Sequence, residues 1–295
     1  MIKRTLVFSN PAQLTLKDAQ LIISLKELPG EKRSVPIEDI GIVLIDNPMV
    51  SITIPLLNAL SDNNVAVIIC DKKGMPNAML QNLETNNFQN EVLRSQLDVG
   101  EVMKKQLWKQ IIETKIKNQS LLLQKLGLRG ELLKPYYSSV KSGDTDNREG
   151  IAARLYWNEL FGNGFVRDRN LPGVNVLLNY GYSILRAATA RALMSSGLLP
   201  ALGVFHHNRG NAFPLADDMM EPYRPFVDEV VYDLFLQGKD ELSKETKGAL
   251  IRVLFCDTFF RDVMRPLSIG LSMTSASLVK CYSKKQKNLQ LPILQ

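Results

Sequence analysis

A single change of hydrophobic period near residue 90 limits how this 295-residue chain can fold more than any other feature. Before it, short β-like runs (Thr5–Phe8, Gln13–Leu16, Gln20–Leu25 and Gly41–Ile45) are separated by Asn-Pro, Pro-Gly and Asp-Asn-Pro punctuation. In the same region Ser51–Ser61 reads as a helix, with Ser51 as its cap and Pro55 in its first turn, and Val65–Cys70 reads as a buried strand. From about residue 92 the period becomes helical. Val102, Leu107, Ile111 and Ile116 approximate a 3.6-residue repeat, interleaved with Lys104, Lys105, Lys109, Lys115 and Lys117. Further helices are predicted over Arg148–Leu160, Val174–Ser195, Tyr223–Leu236, Ser243–Phe260 and Ser268–Lys280. The expected architecture is α+β: a small β-rich domain over 1–85, a linker over 86–95 within the polar stretch that begins at Asn82, and a larger all-helical domain over 96–295.

Composition removes several classes. Apolar residues make up 45% and charged residues 22%, values of an ordinary folded protein rather than a disordered one. No apolar run approaches the length of a membrane span, so no membrane partner is expected. Met1–Phe8 alternates like a strand, so a secretion signal is not expected either. Cys70, Cys256 and Cys281 are scattered and odd in number, which fits a reducing cytoplasm. The net charge of +6 makes a polyanion, nucleic acid first, the partner class to test. There is no P-loop, no dinucleotide-binding glycine pattern and no GxSxG elbow.

The residues able to do chemistry cluster late in the chain. The two histidines, His206 and His207, are adjacent, and Asp217, Asp218 and Glu221 follow. A helical turn from Asp217 to Glu221 puts Asp218 and Glu221 on one face, and the intervening Gly210, Asn211 and Pro214 suit a loop that folds the histidines back over it. One imidazole with carboxylates suits Mg²⁺ or Mn²⁺ better than structural zinc. On spacing alone, a polar loop followed by helix-capping acids is the plainer reading, and both stand. Glu149, in a polar approach to the helix at Arg148, is on the same footing: a further ligand, or a first-turn glutamate doing helix work only. The lysines from Lys104 to Lys117 read first as a solvated helix face and second as a track for phosphates. The basic tail Lys280–Lys287 reads as mobile and able to touch DNA backbone.

Taken together, these segments resemble a known family. The run Arg148-Glu149-Gly150-Ile151-Ala152-Ala153-Arg154-Leu155-Tyr156-Trp157 is similar to the motif around the first catalytic glutamate of the CRISPR-associated integrase family Cas-one. Asn175–Arg191 resembles that family's asparagine- and tyrosine-bearing helix. Gly203–His207 and Leu215-Ala216-Asp217-Asp218-Met219-Met220-Glu221-Pro222-Tyr223-Arg224-Pro225 resemble its histidine motif and its DLMEPFRP-type acidic motif, in wording most like members from type II systems.

The resemblance implies a catalytic, metal-binding triad of Glu149, His206 and Glu221, with His206 preferred to His207 because its 15-residue separation from Glu221 fits the family pattern. Asp218 and His207 become supporting residues around the triad, and Arg148, Arg154, Tyr180, Arg186 and Arg224 become candidates for holding DNA. It further implies an integrase and endonuclease that uses Mg²⁺ or Mn²⁺ to insert a prespacer duplex into a CRISPR repeat by attack of 3′-hydroxyls. The implied partners are double-stranded DNA, a second copy joined through the β-rich domain, and the small protein Cas-two. A plain metal-dependent nuclease and a non-catalytic DNA-binding scaffold are the competing functions.

Overall fold

The computed structural model describes residues 3–26, 30–80, 82 and 86–295. Met1 and Ile2 of the predicted first strand, the proline of the Pro-Gly break at residue 29 and part of the stretch read as linker lie outside the described residues. The chain divides into two compact units, 1–85 and 86–295.

The first unit holds strands β1 (Arg4–Phe8), β2 (Ala12–Lys17), β3 (Gln20–Leu25), β4 (Lys32–Pro36), β5 (Ile40–Ile45) and β6 (Ser51–Ile52), helix α1 (Ile54–Asp62), and strands β7 (Ala66–Cys70) and β8 (Pro76–Leu80). Two four-stranded sheets form, in the orders β1-β5-β7-β8 and β4-β3-β2-β6. β5 pairs in parallel with both β1 and β7, and its run IGIVLI is apolar throughout because a central parallel strand is covered on both faces. Phe8, Leu14, Leu21, Val35, Ile40, Val43, Leu56 and Leu60 share one core contributed by both sheets and α1.

Three local expectations are corrected here. β4 and β8 were not foreseen, because their mostly exposed residues, Lys32 to Ser34 and Asn77 to Ala78, carry no apolar alternation. Ser51 does not cap α1. It pairs with Gln13 in a sheet, and the helix begins at Ile54, with Pro55 in its first turn as predicted.

The second unit contains helices α2 (Gln89–Leu97), α3 (Glu101–Lys125), α4 (Lys134–Tyr137), α5 (Arg148–Phe161), α6 (Val174–Ser195), α7 (Pro214–Met220), α8 (Arg224–Leu236) and α9 (Lys244–Arg252). These are followed by strands β9 (Asp257–Phe260) and β10 (Val263–Pro266) and helix α10 (Leu267–Tyr282). The architecture is mixed α+β, β-rich first and helical after. Helix α2 occupies most of the stretch read as a linker: Val92 is buried, and the buried Gln96 amide bonds the carbonyls of Leu199 and Leu202. α6 is buried nearly all round, as its apolar composition requires.

The helix expected over Ser243–Phe260 stops at Arg252, and its last residues form β9 of a hairpin with β10. The tail after α10 is docked. Leu289 and Leu294 are buried, Leu294 N–H donates to Asn118 Oδ1 at 3.1 Å, and Ile293 pairs with Phe259. Among the described residues, no helix is long and apolar enough to cross a membrane.

Candidate metal centre

The site is organised around α3, whose buried face runs through Trp108, Ile112, Lys115 and Gln119 at helical spacing. Trp108 stacks on Phe205 with ring centroids 4.3 Å apart, and meets the His206 ring edge-on at 5.6 Å. Two turns further on, the Lys115 ammonium lies between two carboxylates: it contacts Glu149 Oε1 and is 2.5 Å from Glu221 Oε2. Asn118, fully buried one turn beyond, donates to the carbonyls of Pro222 at 2.8 Å and Pro292 at 3.0 Å.

Glu149 is placed by the start of α5. Asn147 takes a left-handed conformation (φ 52°) and accepts the Gly150 N–H at 3.1 Å. The Asp144 carboxylate accepts the N–H groups of Arg148 (2.8 Å) and Glu149 (3.1 Å). These acceptors satisfy the free donors of the first turn, a common helix-start device. A Cβ at Gly150 would lie 2.7 Å from the Asn147 carboxamide, so a side chain there would have to displace the capping group.

Glu221 opens the tight turn Glu221–Tyr223 between α7 and α8, and its two oxygens have different partners. Oε2 faces Lys115, while Oε1 receives Arg224 Nη2 at 2.8 Å. The Arg224 guanidinium lies over the Tyr182 ring, 4.5 Å from its centre. Burial alone would raise the Glu221 carboxyl, but Arg224 and Lys115 outweigh it and hold the group below the ordinary carboxylate range. Burial likewise opposes the charge on Lys115, and Glu149 with Glu221 more than offset it, so the amine stays protonated above the ordinary lysine value.

His206 is held from behind by Asp218, which is fully buried in α7. One Asp218 oxygen accepts the N–H groups of Val204 (2.6 Å) and Phe205 (2.9 Å), and the other accepts the His206 N–H at 3.3 Å and lies 2.5 Å from His206 Nδ1. The loop can wrap this closely because residue 203 is glycine: a Cβ there would lie 2.3 Å from the His206 carbonyl oxygen. The hydrogen bond to Asp218 raises the imidazole pKa. Partial burial opposes this, and the negative charges of Asp218, Glu221 and Glu149 add to it. The fields of both glutamates therefore reach His206, whereas His207 is exposed. Burial raises the Asp218 carboxyl itself, against the pull of its four donors.

Glu149, Glu221 and His206 are thus brought to one place, but not as three ligands around a point. Among the described residues, no group of three His, Cys, Asp or Glu side chains is arranged to hold a metal ion. The physical reason is that Lys115 already occupies the position of a cation between the carboxylates. The chemistry of the donor set still suits a divalent ion. Two carboxylates close on one positive charge, and Asp218, by engaging Nδ1, leaves Nε2 as the ligating nitrogen.

The candidate DNA-contacting residues separate. Arg154 is exposed. Arg148 pairs with Asp146 at 3.0 Å, and Arg186 with Asp217 at 2.7 Å. Tyr180 is fully buried and so presents no surface to DNA, contrary to expectation, while Arg224 engages Glu221 and keeps 19% of its side chain exposed. Both lie on helix faces that pack. Sequence reasoning missed Lys115, Trp108, Asp144 and Asn118. For Lys115 the signal was present, since it lies four residues after Ile111 on the apolar stripe and not on the solvated face.

Comparison with known proteins is consistent along the chain. The family model described as CRISPR associated protein Cas1 matches residues 5–252. The CRISPR-associated endonuclease Cas1 of Neisseria meningitidis serogroup C is 39% identical over 99% of this chain and 96% of its own length. Among solved structures, a casposase bound to integration product superposes with a TM-score of 0.78 at 21% identity, covering 98% of this chain and 93% of that one. A Cas6-RT-Cas1–Cas2 complex superposes with a TM-score of 0.73 at 22% identity, over 99% of this chain and 36% of that one. The extent of the family match, with so similar a relative over nearly the whole length, means that this chain belongs to the CRISPR associated protein Cas1 family.

Proposed function

We propose that this protein is a metal-dependent DNA integrase of CRISPR adaptation, which joins prespacer DNA to the CRISPR repeat by transesterification. The observation that carries the reading is the closure of Glu149 and Glu221, from separate elements, on a single positive charge beside an imidazole oriented by a buried aspartate. Family membership supports it, as do the casposase fold shared by the chain and the endonuclease name of its Neisseria relative.

In this reading Glu149, Glu221 and Nε2 of His206 hold Mg²⁺ or Mn²⁺. The ion supplies Lewis-acid polarisation of the scissile phosphate and a lowered pKa for the attacking 3′-hydroxyl. The chain's own contribution is positional. Asp218 fixes the His206 tautomer, Arg224 orients Glu221 through Oε1, and the Asp144–Asn147 cap sets Glu149 at the start of α5. The reaction forms a bond from the prespacer 3′-oxygen to phosphorus and breaks the bond to the repeat's 3′-oxygen. The proton lost by the attacking hydroxyl is balanced by protonation of the leaving oxygen. Arg148, Arg154 and Arg186 hold phosphates in this reading, so affinity falls with salt.

We place homodimerisation in the β-rich unit and assign as partner a Cas2 protein, by likeness to a chain solved in a Cas6-RT-Cas1–Cas2 complex. A type II system is the expected context, from the wording of the acidic motif. The test is strand transfer with a labelled 3′-hydroxyl oligonucleotide and a repeat duplex. Joined product in Mn²⁺ that is lost in Glu149→Gln, His206→Ala and Glu221→Gln supports the integrase. Cleavage without joining supports the plain nuclease, and joining that survives all three substitutions refutes the proposed site.

A further inference from the structure

The cation at the centre of this site belongs to the protein. Lys115 Nζ contacts Glu149 and lies 2.5 Å from Glu221, with only 10% of its side chain exposed. Two carboxylates this close, one of them almost fully buried, repel each other and favour protonation unless a positive charge separates them. Lys115 supplies that charge from α3, an element that carries neither glutamate. The other cation at the site, Arg224, is planar and packed on Tyr182, and it engages Glu221 through the oxygen that Lys115 does not use. Of the two, only the lysine has the flexible four-carbon stem that can move away and leave both glutamates in place.

We propose that Lys115 is a tethered, displaceable counter-cation. It holds Glu149 and Glu221 together when no metal is bound, and it leaves the pair when a divalent ion enters. Loading of the centre is then an exchange of one cation for another and not an addition to an open site. Arg224 keeps its oxygen throughout, so Glu221 has the same orientation before and after the exchange, and Oε2 is the atom handed from ammonium to metal. This rests on the reading of Glu149 and Glu221 as metal ligands. It has two consequences. The lysine stabilises the metal-free fold, and it weakens metal affinity, because part of the binding energy goes into displacing it.

The decisive experiment measures Mn²⁺ binding to DNA-free protein by calorimetry and by the electron-paramagnetic signal of free Mn²⁺. Wild type is compared with Lys115→Met, Lys115→Gln, Glu149→Gln and Glu221→Gln, each checked for folding by circular dichroism. The expected result is Mn²⁺ binding about tenfold tighter or more in both lysine variants, since an opposing charge at contact distance has been removed. Their melting temperature falls without metal, and Mn²⁺ raises it further than in wild type. In wild-type protein, acylation of Lys115 followed by peptide mass spectrometry should rise about threefold or more on adding Mg²⁺, while the exposed Lys134 is unchanged, because displacement brings a buried amine to solvent. This measurement decides the matter even if the variants fail to fold. If Glu149→Gln and Glu221→Gln bind Mn²⁺ as wild type does, the metal reading itself falls. If they lose binding but the lysine variants bind no tighter and Lys115 acylation ignores Mg²⁺, the metal reading stands and the exchange is refuted.

Discussion

Replacing Asp218 by asparagine tests how the histidine is held. The carboxylate is fully buried and accepts from three backbone N–H groups and the imidazole, at 2.5 to 3.3 Å. Hydrogen bonds to a charged acceptor contribute about 1.5–3 kcal/mol each, but those sharing one group do not add. Asparagine keeps one carbonyl oxygen and turns an amide donor toward donors, while relieving the burial of a charge. The net loss is therefore roughly 2–4 kcal/mol, or a melting-point drop of roughly 5–15 °C for a unit of this size.

The same change lowers the His206 pKa, because the hydrogen bond to Asp218 is the largest influence raising it. The sign follows by linkage. A histidine whose folded pKa lies above its unfolded value of about 6.5 contributes stability that is fully present below that value and is lost as pH rises through the folded one. Asp218→Asn removes this contribution, so the slope of stability against pH above 6.5 shrinks. The chain contains only two histidines, so histidine-selective NMR resolves both titrations directly. His206 should titrate lower and change tautomer. An unchanged His206 titration together with a melting point within about 2 °C of wild type would refute the argument.

Two further outcomes follow from residues outside the triad. Asp228 is buried between the hydroxyls of Tyr156 (2.8 Å) and Tyr182, and burial pushes its carboxyl up to about 6. The folded state then binds more protons than the unfolded state between about pH 4 and 6, so stability should fall by on the order of 3 kcal/mol as pH rises through that window. Urea titrations of Asp228→Asn should lack this fall, and equal slopes in the two proteins would show that Asp228 is not its source. Leu294 is 1% exposed, so Leu294→Ala should destabilise by about 2–4 kcal/mol; a change below about 1 kcal/mol would mean the last residues are not docked.

How much of this was legible in the sequence varies with the kind of signal. The run Val174–Ser195 was bounded correctly because its apolar period is unbroken and a glycine precedes it. Glu149 at the start of α5 was visible from the polar, glycine-containing approach. The hairpin of β9 and β10 was not, since it turns through Arg261 at φ 51° with no Asn-Gly or Asp-Gly to mark it, and its phenylalanines continue the helical pattern before them. The lysines of the tail suggest mobility, yet its anchors are Leu289 and Leu294, which lie beyond the charged stretch. At the site, residue types and order were readable, and the partner of the carboxylates was not. A lysine among six in a helix looks solvated until its position on the apolar stripe is counted, and which carboxylates it meets depends on tertiary packing alone.

Helix α3 also behaves as a ruler. Trp108, which backs the histidine loop, and Lys115, which meets the glutamates, are seven residues apart, close to two turns and about 10.5 Å along the axis. One residue inserted between them would turn Lys115 about 100° away from the carboxylates, with every ligand still present. The loop between His207 and Pro214 is pinned separately, at Asn211, whose carboxamide donates to Asp217 and accepts from Arg186. Length variation between related chains should therefore be absent from the middle of α3, between Trp108 and Lys115.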